Sequence, residues 1–144
     1  MNSVKKTPLD LLNEIYSLAY WMTGSEIDSH NLVQLTYDHA NTKTNEDELL
    51  KTFRECYLER FGQNTNLCIN NKPCQTDKQL NESLKHWGAD IKLSTLLSEI
   101  SGLKHRQISK IVGKPLETIR MWLLWGRKLL IDCKPFYPIT LQAS

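Results

Sequence analysis

The sequence has no long apolar run. Nothing in it approaches the ~18–20 residues that a bilayer-spanning helix needs, so no membrane span is expected. No secretory signal is expected, because Met1 to Lys6 is followed by Thr7-Pro8-Leu9-Asp10 in place of an unbroken apolar stretch. No segment alternates cleanly between apolar and polar residues over several positions, which removes most β-structure. Cysteine is sparse: Cys56, Cys68, Cys74 and Cys133. Without a secretory route, reduced thiols and a cytoplasmic chain are the expectation. Cys68 and Cys74 have five residues between them, wider than a zinc-knuckle spacing, and His86 is too isolated to complete a site. No metal and no cofactor are therefore expected. The six glycines are scattered and make no phosphate-cradling loop. His30, His39, His86 and His105 have no carboxylate or cysteine at a spacing that implies catalysis, so the chain reads as a non-enzyme.

What the chain does have is average globular material: 144 residues, 40% hydrophobic and 24% charged. That fits one domain or two small helical ones. The formal net charge of +2 is unevenly spread. Residues 1–67 carry 6 basic and 10 acidic residues, and residues 104–134 carry 8 basic and 2 acidic. An acidic first half and a basic block near the end predict two surfaces for two partners.

Helical signals run almost throughout. Thr7 can cap a first helix with Pro8 at its first position, its apolar stripe reading Leu9, Leu12, Ile15, Tyr16, Ala19 and Tyr20, and Gly24 closing it. Asp28 or Ser29 can cap a second helix through Leu32, Val33 and Tyr37. Asn45 caps a third, with Glu46, Asp47 and Glu48 in the first turn, where negative charge meets the positive end of the helix dipole. Leu49, Leu50, Phe53, Tyr57 and Phe61 form its stripe, and Gly62 ends it. Residues 63–79 are rich in Asn, Thr, Gln and Lys and read as a linker. Helices are then expected over about 79–87, 92–100, 104–112 and 116–131, before a Pro-containing tail, 132–144. Trp21 and Trp87 read as core residues.

The most informative stretch is Gln107-Ile108-Ser109-Lys110-Ile111-Val112-Gly113-Lys114-Pro115-Leu116-Glu117-Thr118-Ile119-Arg120. Ile108 and Val112 can bury one face of a first helix. Gly113 permits the left-handed conformation that stops it. Pro115 forbids continuation, and Ile119 and Leu123 can bury the second helix. This is a helix-turn-helix pattern, whose second helix would present its N-terminal residues to base edges in the major groove. The plainer alternative is an αα-hairpin that packs on the rest of the chain and touches nothing.

The C-terminal stretch resembles the promoter-binding region of extracytoplasmic-function-type bacterial sigma factors. Ala19-Tyr20-Trp21-Met22-Thr23-Gly24, followed by Asp28-Ser29-His30-Asn31-Leu32-Val33-Gln34-Leu35-Thr36-Tyr37, is similar to the motif with which that family docks on the clamp coiled coil of the RNA polymerase β′ subunit. The resemblance implies an all-α chain of two small modules. Residues 1–62 would be a region-2-like polymerase-docking bundle, and residues 80–131 a region-4-like helix-turn-helix, with 63–79 between them. It implies polymerase contacts at Asp28, Leu32, Val33, Gln34 and Tyr37. It places promoter contacts at Thr118, Arg120 and Met121, with Lys104, Arg106, Arg127 and Lys128 holding phosphates.

The departures point elsewhere. The family's acidic pair in the docking motif is His30-Asn31 here, and residues 41–47 lack the aromatic and basic residues that capture a melted promoter strand. Trp122 and Trp125 stand where the family has arginines. At ~100° per residue, Ile119, Leu123, Gly126 and Leu130 share one stripe with Trp122 at its flank, and Met121, Leu124 and Trp125 point largely away. Trp122, Leu124 and Trp125 thus form a candidate protein-binding patch, which the chain's own Phe136-Tyr137-Pro138-Ile139 could also cover. Two functions follow. One is a transcription initiation protein that binds polymerase core and promoter DNA. The other is a sigma-like regulator that binds protein, such as a decoy for an anti-sigma factor, with weakened or lost DNA binding.

Overall fold

The computed structural model describes residues 7–63 and 78–132, and for 78–85 and 129–132 the backbone alone. The expected connection over 64–77 and the tail 133–144, with Cys68, Cys74, Cys133 and Phe136, lie outside the described residues. The described chain is all-α: α1 (Leu12–Thr23), α2 (Glu26–Asp38), α3 (Glu46–Phe61), α4 (Lys78–Glu99), α5 (His105–Val112) and α6 (Leu116–Asp132). None of these helices is long and apolar enough to cross a membrane.

Local chemistry sets the boundaries. Thr7 and Asp10 exchange side-chain-to-backbone hydrogen bonds at 3.0 and 3.3 Å. The turn they close is tight, with Leu11 N–H donating to the Pro8 carbonyl, so the α-helix proper starts only at Leu12. Gly24 ends α1 in the left-handed conformation (φ 70°). The second cap is Ser25 rather than Asp28 or Ser29. Its hydroxyl accepts the Asp28 N–H at 3.2 Å, because a serine directly after the closing glycine is the first residue able to satisfy those orphan donors. Asn45 closes a reciprocal capping box with Glu48. The expected helices over 79–87 and 92–100 are one element. Residues 88–91 stay helical, and the interruption is a kink at Trp87 (φ −134°, ψ 17°).

The stripe of α1 differs from expectation. Leu11, Ile15, Leu18, Ala19 and Met22 are buried, whereas Leu9 is 78% exposed and Tyr16 and Tyr20 are exposed. The helix carries two apolar stripes, and the aliphatic one wins the core because Leu and Ile bury no polar atom while the tyrosine rings carry a polar end that stays at the surface. Trp21 is buried, but Trp87 is more than a third exposed.

Neighbouring helices pack as α1 on α2 and α4, α2 on α3, α3 on α5, and α4 on α5 and α6. One cluster of buried side chains includes residues from both sides of the 64–77 segment, from Leu11 and Phe53 to Leu97 and Leu123. A polar clasp reinforces that junction. Arg54 on α3 grips Asp90 on α4 with two bonds, Nε to Oδ1 at 2.7 Å and Nη2 to Oδ2 at 3.0 Å. Gln63 completes it: its amide donates to Asp90 Oδ2 at 2.6 Å, its Oε1 accepts the Asp90 N–H, and its carbonyl accepts the Ala89 N–H. The Asp90 side chain is 1% exposed, so removing its Arg54 partner would leave a buried charge unpaired. The paired carboxylate holds the Arg54 guanidinium above its ordinary pKa. A second crossing joins Gln107 on α5 to Asp47 (2.9 Å) and Glu46 at the start of α3.

Candidate nucleic-acid interface

The turn between α5 and α6 is Gly113-Lys114-Pro115. Gly113 is left-handed (φ 75°, ψ 35°), and its N–H reaches the Ser109 carbonyl at 2.8 Å. The Lys114 N–H shares that acceptor at 3.2 Å. The Ser109 hydroxyl returns a bond to the Lys114 carbonyl. Pro115 offers its carbonyl to the Ile119 N–H, so the first intrahelical bond of α6 starts two residues after the glycine that stopped α5. Ile108, Ile111 and Val112 on α5, and Ile119, Trp122 and Leu123 on α6, close the inner side.

The same turn is braced from α4. The Lys114 ammonium sits 3.7 Å from the centroid of the Trp87 ring, and that ring tilts against Trp122 with centroids 6.1 Å apart. A cation over an indole contributes on the order of 0.5–1 kcal/mol at an exposed site. Lys114 is thereby committed to the protein's own surface. The kink at Trp87 belongs to this stack.

Outward, Arg120, Leu124 and Lys128 stand at successive four-residue steps, one line on α6, and all three are exposed. Met121 is 40% exposed and Leu124 71%. Glu117 is exposed on the same side, a carboxylate where phosphate would approach. Thr118 is half-buried, and Lys104 and Arg106 are exposed at the start of α5. Arg127 is exposed but engaged, with Nε on Glu99 at 3.0 Å and Nη2 on Ser98 Oγ at 2.8 Å. Trp122 is 3% exposed and belongs to the core, not to a surface patch, because it falls within the arc of Ile119, Leu123 and Gly126 and meets Trp87. Trp125 is half-buried. The outward apolar surface is therefore Leu124 with Met121.

The candidate polymerase contacts separate in the same way. Leu32 and Val33 are core residues (0% and 4% exposed), since with Ser29 and Thr36 they make the inner line of α2. Gln34 is exposed and Asp28 half-buried. Tyr37 turns inward enough for its hydroxyl to donate to the Pro8 carbonyl at 2.6 Å. Burial, with the Glu14 charge adding to it, pushes that phenol up to about 12. The outward line of α2 is Ile27, His30 and Gln34, of which Ile27 is 75% exposed. Ile27 was missed because a helix started at Asp28 or Ser29 excludes it; Ser25 as the cap puts it two residues inside, opposite Ser29.

Compared with protein-family models, curated proteins and solved structures, the chain matches none.

Proposed function

We propose that the chain is a sigma-factor-like transcription initiation protein, acting in the cytoplasm and without catalysis of its own. In this reading α1–α3 engage RNA polymerase core at the clamp coiled coil of β′, through the exposed Gln34 and the half-buried Asp28. α6 lies on promoter DNA, with Thr118, Arg120 and Met121 toward base edges and Lys104, Arg106 and Lys128 on phosphates. The observation that carries it is the Gly113 turn delivering an α6 whose outward line holds Arg120 and Lys128. Phosphate neutralisation by such cations supplies sequence-independent affinity, and base contacts supply specificity. The test is capture of polymerase core together with promoter-dependent transcription by core enzyme. Folded protein that does neither refutes the reading.

A second reading is favoured by Leu124 at the centre of that same line and by the engagement of Arg127 with Glu99 and Ser98. Here the chain is a protein-binding regulator, such as an anti-sigma decoy, that has weakened promoter contact. Salt separates the two. Phosphate-dominated binding falls by orders of magnitude between about 50 and 200 mM salt, and binding through Leu124 and Met121 to a protein does not.

A further inference from the structure

Six of the large apolar side chains exposed among the described residues fall into two groups. The first lies on the outside of the α1–α2 hairpin. Tyr16 and Tyr20 follow one line of α1, with Leu9 exposed in the turn before it, and Ile27 and His30 follow the outward line of α2. The two lines meet where the Tyr16 hydroxyl bonds His30 Nδ1 at 2.9 Å. The second group is Met121 and Leu124 on α6.

Charge distinguishes these surfaces sharply. Residues 7–42 contain no Lys and no Arg and five acidic residues, of which Asp10, Glu26 and Asp38 are exposed. Residues 104–128 contain seven Lys and Arg against one acidic residue, Glu117. One face therefore offers aromatic and aliphatic groups among carboxylates, and the other offers Leu124 and Met121 between Arg120 and Lys128. Both faces carry apolar groups, and the charges around them are opposite in sign, the usual anatomy of a specific protein interface.

We infer that the partner of each face is the other face on a second copy of this chain. The association is head-to-tail: the α1–α2 hairpin of one molecule covers α6 of the next. Such a contact uses two different patches, so it does not close on itself as a two-fold dimer does and can extend to further copies. It withdraws Arg120, Leu124 and Lys128 from any other partner. The inference does not depend on the proposed function, since it needs only the two surfaces.

Two double variants test it, each at exposed positions that leave the core untouched. Leu9→Gln/Ile27→Gln removes the aliphatic groups at the two ends of the hairpin face, and Met121→Gln/Leu124→Gln removes the apolar centre of the α6 face. Sedimentation velocity of the wild-type full chain should show mass rising with concentration, weakened only a few-fold between about 50 and 200 mM salt because the contact is centred on apolar groups. Each variant alone should self-associate about tenfold more weakly or worse. Mixed in equal amounts, the two variants should form a one-to-one pair through their remaining intact faces and go no further. Melting curves matching wild type confirm that both variants fold. A wild-type chain that stays monomeric at low salt up to several hundred micromolar overturns the inference. So does a hairpin-face variant that associates as well as wild type, which would mean that α6 pairs with itself. Failure of the variants to pair on mixing overturns it as well, whatever the outcome of polymerase capture.

Discussion

Where α6 packs on α4, Gly126 faces Thr95. A methyl group built on Gly126 would stand 1.8 Å from Thr95 Oγ1, 2.9 Å from its Cβ and 3.2 Å from its Cγ2. Thr95 is fully buried, and its hydroxyl donates to the Ile91 carbonyl at 2.9 Å, which fixes that oxygen on its own helix. Gly126→Ala therefore sets two effects against each other. Helix propensity favours Ala by about 1 kcal/mol. Overpacking a closed core costs about 1–3 kcal/mol, and the upper end applies when backbones must part. A contact this short requires the helices to separate or Thr95 to leave its rotamer and its hydrogen bond, so the net effect should be a loss of about 2 kcal/mol. For a chain of 144 residues that lowers Tm by roughly 5–8 °C. Thr95→Ala removes Oγ1 and Cγ2 and leaves only the 2.9 Å contact, which a small shift relieves. The double variant should recover at least half of the loss, giving a coupling of about 1 kcal/mol or more in a double-mutant cycle. Urea denaturation followed by tryptophan fluorescence and by circular dichroism measures all four proteins. A Gly126→Ala chain as stable as wild type, or effects of the two substitutions that simply add, would refute the close crossing.

Three other perturbations follow from the same reasoning. Lys92 is 2% exposed, and burial lowers its pKa from 10.5 to about 8; the unfolded chain therefore holds more protons between pH 8 and 10.5, and stability should rise with pH across that window, by a total of about 3 kcal/mol. Comparing urea midpoints of wild type and Lys92→Met at pH 7.5 and 9.5 isolates this group, and identical pH profiles would show that Lys92 is not buried as described. Arg54→Met leaves the Asp90 carboxylate without its bidentate partner and should cost about 3 kcal/mol, whereas Arg54→Met/Asp90→Leu should regain most of it; a single variant with an unchanged melting curve would remove the clasp from the account. Gly113→Ala meets no atom within 4 Å but must hold a left-handed backbone at φ +75°, so the expected loss is about 1–2 kcal/mol by thermal melting, and a neutral result would place the α5–α6 turn in another conformation.

The all-α class was legible because the capping residues and stripes are local. Asn45 with Glu48, and Gly24, Gly62 and Gly113 as stops, can be read residue by residue. So can the burial of Ile119 and Leu123 on α6. What was hidden is decided between distant segments. Tyr16 and Tyr20 compete with Leu11 and Leu18 for the inside of α1, and periodicity alone does not choose between two stripes of one helix. Leu32 and Val33 sit in the docking-type motif as apolar letters, but α1 and α3 bury them, so the motif's surface is its polar remainder. Trp122 is drawn inward by Trp87, thirty-five positions earlier in the sequence. The Arg54–Asp90 pair spans thirty-six positions and leaves no mark on either helix's pattern. The basic character of 104–134 is a matter of composition, whereas the engagement of its cations depends on distant residues: Lys114 lies over Trp87 and Arg127 on Glu99, so two of them already have partners at home.

The clasp of Arg54, Asp90 and Gln63 has a practical corollary. It fastens the chain just before the 64–77 segment to the middle of α4, and buried side chains from both sides complete the contact. Continuity of the peptide through that segment is then not what holds the two parts together. A chain cleaved between Gln63 and Lys78 should leave two fragments that recognise each other, at an association cost set by lost translational freedom rather than by lost contacts. Fusing those fragments to separate bait proteins would turn the clasp into a reporter of proximity.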